Sequence, residues 1–94
     1  MATTPFRRAI RLFTKSDCGL CEDAKHVLLR VRSKVGPFAP FELEEVDIRK
    51  KENEEWMLKY CFDIPVVHLN GKEVFRHRVD EAKLEQLLRS PPSE

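Results

Sequence analysis

Asn70-Gly71 separates two β-rich runs in the stretch "PVVHLNGKEVF" and leaves the chain few options there. Both residues accept the left-handed backbone of a two-residue type I′ turn, so "VVHL" and "KEVF" are expected to form an antiparallel hairpin. That register sets His68 opposite Glu73, and a surface cross-strand pair is the expected role of this histidine.

Working outward from the hairpin, "RAIRLFT" alternates as a strand, with Ile10 and Leu12 on one face and Phe13 on the other. Cys21, Ala24, Leu28, Val31 and Val35 recur at helical spacing, and Gly36-Pro37 ends that helix. "FELEEVDI" reads as a second strand whose apolar phase slips between Leu43 and Val46, which predicts either burial on both faces or a bulge. Trp56, Met57, Tyr60 and Cys61 make the stripe of a second helix behind the acidic turn "ENEE". Asp80 is placed to cap a third helix, with Val79 and Leu84 as a hydrophobic staple and Leu87 and Leu88 continuing the face.

The order is therefore β-α-β-α-β-β-α, an α/β fold. The first two strands must be parallel across a helical crossover, and the last two form the hairpin. The expected sheet order is 2-1-3-4, four strands in a mixed sheet with helices on both faces. The residues expected to be buried together are Ile10, Leu12, Ala24, Leu28, Val31, Val46, Ile48, Trp56, Tyr60, Val67, Leu69, Leu84 and Leu87.

Ninety-four residues suit one domain, expected over residues 8–90, with 1–7 and 91–94 as flexible ends. With 17 basic and 16 acidic side chains the formal net charge is +1, so nothing draws the chain toward nucleic acid or a membrane. Neither is expected as a partner, and a monomer is expected. No apolar run is long enough to span a bilayer. Three cysteines are an odd count, ill suited to a secreted disulfide framework. A reducing compartment is expected: the cytoplasm, with the mitochondrial matrix as the alternative raised by Arg7, Arg8 and Arg11 ahead of the first acidic residue.

Cys18 and Cys21 form a C-x-x-C at the end of the first strand, where it opens a helix. In a βαβ setting this spacing favours redox chemistry, because the two positions are unlike. Cys18 is at the loop tip, where unpaired helix N–H groups favour a thiolate, and Lys15 adds a cation three residues upstream. Cys21 lies one turn in, shielded, and within reach of a disulfide formed at Cys18. Zinc would need four ligands, and Cys61, His68 and His77 are scattered with no second close pair. Cys61 falls on an apolar stripe and is expected to be a buried, inert thiol. The cluster Arg76-His77-Arg78 is either a solvated turn or an anion site for a carboxylate.

"LFTKSDCGLC" together with "DIPVVHLNGKEV" resembles the glutaredoxin branch of the thioredoxin-like superfamily, from about Arg8 to Arg89. The likeness is nearer to its small glutaredoxin-like proteins. The resemblance implies a thioredoxin-like fold and a thiol–disulfide oxidoreductase acting on protein or glutathione mixed disulfides. Cys18 and Cys21 would be the catalytic pair, and Lys15, Ile64, Pro65 and Arg76 substrate-binding residues. It further implies a cis Ile64–Pro65 bond near Cys18, with the Ile64 backbone available to pair with an extended substrate. No tightly bound cofactor is expected; glutathione is a candidate co-substrate, and a thiol reductant system would restore the dithiol. Where glutaredoxins place paired glycines this chain has Phe75 and Arg76, which are expected to fill part of the glutathione groove. Arg76 and Arg78 would offset this by pairing with a carboxylate. The competing class is a noncatalytic thioredoxin-like module that holds a protein partner or a metal through Cys18.

Overall fold

A computed structural model describes residues 8–89. The expectation of flexible segments at 1–7 and 91–94 lies outside these residues. Strand β1 (Arg8–Thr14) leads to helix α1 (Gly19–Val35), a 3-10 turn (Gly36–Phe38) and strand β2 (Phe41–Asp47). A second 3-10 turn (Lys51–Asn53) precedes helix α2 (Glu54–Tyr60), then the hairpin β3 (Val66–Leu69) and β4 (Lys72–Arg76), and helix α3 (Glu81–Arg89). The sheet order is β2-β1-β3-β4, with β2 parallel to β1 and the remaining pairs antiparallel. The fold is thioredoxin-like.

Local chemistry ends the elements where the residues require it. Gly36 closes α1 at φ +52°, a left-handed conformation that costs glycine nothing, and its N–H returns to the Arg32 carbonyl. Asp80 caps α3 by accepting from the Lys83 amide at 3.1 Å, and Val79 packs on the core that holds Leu84. Asn70 and Gly71 both take positive φ, 52° and 83°, as a type I′ turn demands. Asn70 also ties the turn to β1: its amide donates to the Ala9 carbonyl at 2.7 Å, and its Oδ1 accepts from the Ala9 amide at 2.9 Å.

The sheet separates two apolar clusters. On one face Ile10, Leu12, Val67 and Phe75 pack with Leu28 and Val31 of α1 and Leu84 and Leu88 of α3. On the other, Phe13, Val46, Ile48, Ile64 and Val66 pack with Tyr60 of α2 and with Cys21 at the start of α1. Three residues expected in the core, Trp56, Leu69 and Leu87, are only partly buried. They lie at the margin of the packed surface. On α3 it is Leu88, one turn beyond Leu84, that is fully buried.

The phase slip in β2 has a plain cause. β2 pairs with β1 residue for residue, without a bulge, and its two ends serve different clusters. Phe41 and Leu43 pack on the first and Val46 on the second. Glu42, Glu44 and Glu45 charge this edge strand, which discourages pairing with another chain.

The bulge is in β4 instead. His68 pairs with Glu73, but Val67 pairs with Phe75, so Val74 is an extra residue. This turns Phe75 to the face of Val67, into the first cluster. Phe75 therefore does not fill a ligand groove, as its position in the sequence suggests; it is buried beneath the sheet against α3.

His68 also departs from expectation. The pairing with Glu73 is as expected, yet the ring is buried rather than at the surface. β3 is an interior strand covered on both faces, so alternation does not expose any of Val66, Val67 and His68. The ring enters an aromatic group with Phe13, Trp56 and Tyr60, and its Nε2 lies 2.8 Å from the Tyr60 hydroxyl.

Candidate active site

β1 delivers the chain to a short loop, Lys15 to Asp17, in which Asp17 takes a left-handed φ of 59°. Cys18 then returns to extended backbone (φ −120°, ψ 107°) as the N-cap of α1. Its carbonyl accepts from the Glu22 amide at 3.1 Å, the first hydrogen bond of the helix. Its Sγ accepts from the Cys21 amide at 3.2 Å, where other helices use a serine or aspartate oxygen. A sulfur in this position meets an otherwise unpaired N–H at the positive end of the helix dipole.

The two cysteines are as unlike as their positions suggest. Cys18 is half-exposed, whereas Cys21 is 1% exposed and packs with Phe13, Ile48 and Ile64. Burial, and then the neighbouring Cys18 sulfur, push the Cys21 thiol up; Thr14 and the Lys15 backbone pull the other way. The net direction is upward, so Cys21 keeps its proton at neutral pH. All three cysteines are free thiols in this structure.

Among the residues singled out in the sequence, the fold brings Cys18, Cys21 and Ile64 together around the second cluster. Pro65 is fully buried next to Ile64, and the bond between them is cis. Lys15 is exposed and lines a groove of about 530 Å³ at the ends of β1 and β2, with Thr14, Glu22, Glu45 and Asp47. Arg76 is engaged within the molecule: it forms a paired contact with Glu73 at 2.9 and 3.0 Å and an ion pair with Asp63 at 3.3 Å. Arg78 instead lines a smaller groove of about 180 Å³ beside the first turns of α1, with Leu20, Asp23, Val27 and His77. Cys61, expected to be buried, is only half-buried, because it caps the end of α2 rather than lying within it.

Asp63 escaped the sequence reading, and His77 entered it only within the basic cluster at 76–78 and among the scattered candidate zinc ligands. Asp63 precedes Ile64–Pro65 and meets both Arg76 and His77. His77 takes φ 73° and donates its amide to the Pro65 carbonyl at 2.7 Å. The only local signal was an acidic residue before the proline and a basic cluster further on; their meeting is tertiary. Among the described residues no three His, Cys, Asp or Glu side chains gather as a metal site, and no helix is long and apolar enough to cross a membrane.

Residues 9–89 match the family described as Glutaredoxin-like domain (DUF836). The chain belongs to this glutaredoxin-like family. It is 39% identical over 75 residues to the Glutaredoxin-like protein YDR286C homolog of Dictyostelium discoideum, covering 80% of this chain and 69% of that one. Its fold is similar to that of protein Ne2328 from Nitrosomonas europaea, with a TM-score of 0.71 at 24% identity over 94% of this chain and 99% of the other. It is also similar to thioredoxin O2 from Arabidopsis thaliana, with a TM-score of 0.59 at 20% identity over 85% and 70% of the two chains. Membership of the glutaredoxin-like family supports a thiol redox role in general.

Proposed function

We propose that this glutaredoxin-like protein is a thiol–disulfide oxidoreductase that uses Cys18 as nucleophile and Cys21 as resolving thiol. The observation that carries this reading is the Cys18 Sγ at the N-cap of α1, bonded to the Cys21 amide at 3.2 Å with a buried thiol one turn behind it. Such a sulfur is poised to attack, and its neighbour is protected from competing reactions with solvent.

In the first step the Cys18 thiolate attacks one sulfur of a substrate disulfide, forms a mixed disulfide and expels the other sulfur as a thiolate. Cys21 then gives up its proton and attacks the Cys18 sulfur. The second substrate thiolate leaves, and a Cys18–Cys21 disulfide remains. The substrate has gained two electrons and the protein has lost them; a thiol reductant returns them by the same exchange in reverse. The high proton affinity of Cys21 suits this order, since it does not compete as nucleophile until a disulfide stands beside it.

Protein disulfides and glutathione mixed disulfides both fall within this reading. The Ile64 backbone would pair with an extended substrate, and Arg78, which borders the small groove, would meet a substrate carboxylate. No resident cofactor is required, and a reducing compartment such as the cytoplasm would keep the dithiol ready.

The test is turnover of a protein disulfide and of a glutathione mixed disulfide, with glutathione or a thioredoxin-type reductase as electron source. Catalysed reduction by either reductant supports the proposal. A reduced protein that accelerates neither reaction beyond an equal concentration of free dithiol refutes it.

A further inference from the structure

The segment that precedes β3 is held by a cluster of charges rather than by packing alone. Asp63 follows the end of α2, and its amide donates to the Tyr60 carbonyl at 2.8 Å. Its carboxylate is gripped on both oxygens: Arg76 Nη1 lies 3.3 Å from Oδ2, and His77 Nε2 lies 3.4 Å from Oδ1. From the other side the His77 amide donates to the Pro65 carbonyl at 2.7 Å, with His77 held at φ 73°. A residue with a side chain occupies this left-handed region at some cost, which the contacts around it must offset.

Arg76 is the hub. Its guanidinium uses Nε and Nη2 on Glu73 and Nη1 on Asp63, and it lies 5.8 Å above the Tyr60 ring. The end of α2, the turn at 61–63 and the end of β4 thus meet at one cation. With these donors engaged on Glu73 and Asp63, Arg76 is poorly placed to serve as an open site for a ligand carboxylate.

We infer that Asp63 and Arg76 are positioning residues: their clasp fixes the Ile64–Pro65 segment against which an extended disulfide substrate would dock. This rests on the redox reading above and deepens it, because the clasp matters for a polypeptide substrate that pairs with Ile64 and not for a small disulfide that needs only Cys18. Each contact is partly exposed, so breaking one should change recognition by a modest factor rather than abolish it.

Asp63→Asn, Arg76→Gln and the double variant of the full chain test this. Insulin serves as the polypeptide disulfide, hydroxyethyl disulfide as the small one, and iodoacetamide as a probe of Cys18 alone. Each single substitution is expected to raise KM for insulin about fivefold with kcat held. Hydroxyethyl disulfide turnover and the alkylation rate of Cys18 should not move, and the double variant should be no worse than the singles. Hydrogen exchange at the His77 amide should quicken in Asp63→Asn, whether or not any disulfide is turned over.

Unchanged His77 exchange overturns the clasp. So does an equal loss on both substrates, or losses that simply add. A wild type that reduces neither disulfide, with His77 exchange still quickened by Asp63→Asn, upholds the clasp and refutes the redox reading instead.

Discussion

Glu73 and Arg76 lie on the same face of β4, although three residues apart in a strand they should point to opposite faces. The bulge at Val74 supplies the missing step in alternation. Glu73 thereby pairs with His68 and Arg76 with Val66, both on the face covered by α2. The ion pair that results holds the Glu73 carboxyl below its usual range, through the Arg76 hydrogen bonds above all. The same extra residue sends Phe75 to the far face. One inserted residue thus decides which side chains reach the neighbourhood of Pro65.

The roles proposed for Cys18 and Cys21 should separate on mutation. Cys18→Ser should lose essentially all turnover, by a factor on the order of 10³ or more, because the attacking sulfur is gone. Cys21→Ser should still attack and then stall as a mixed disulfide, visible by mass spectrometry as the added mass of the substrate thiol. Identical behaviour of the two variants would show that the roles are not divided in this way.

Phe75→Leu should lower stability by about 1 kcal/mol, since the ring fills core volume between β3, β4 and α3. Glutathione affinity, measured by calorimetry, should stay as in the wild type. A gain in affinity would return Phe75 to the groove where its place in the sequence puts it.

Acid should weaken the fold through His68. Burial first, then Lys59 and Arg11, hold this ring below its ordinary proton affinity, while Glu73 pulls it back up. An unfolded histidine takes up a proton near pH ~6.5, whereas the folded ring resists it, so below that pH the unfolded state binds more protons. Stability present above pH ~6.5 is therefore lost as the pH falls toward the lower folded value. Thermal melts between pH 7.5 and pH 5 should show Tm falling in the wild type and falling less in His68→Gln. The variant itself should cost about 1 kcal/mol at neutral pH from the altered bond to Tyr60.

Asn70 does two jobs that substitution can separate. Asn70→Gly keeps the positive φ and loses only the bond from the Ala9 amide, at a cost of about 1 kcal/mol. Asn70→Ala loses the bond and also strains the turn, for about 2 kcal/mol in all. Chemical denaturation that ranks the two variants in reverse order would show that the turn is not set by the backbone of this residue.

Local and periodic information determined a large share of this protein. The Asn70-Gly71 turn, the Asp80 cap, the helix stop at Gly36 and the Cys18–Cys21 spacing each depend on neighbours within a few residues, and all stand in the structure where the sequence placed them. The parallel β1–β2 pair and the β3–β4 hairpin followed from the same signals, since a parallel pair needs a crossover and a hairpin does not. What the tertiary structure alone decided was the burial of His68, the turn of Phe75 into the core and the capture of Arg76 by Asp63. A strand's alternation tells which residues share a face but not whether that face is covered, and β3 is covered on both. A bulge in β4 leaves no mark on composition yet reverses every residue beyond it. An ion pair between residues 63 and 76 exists only after the chain has folded back on itself, because no local rule relates positions that distant.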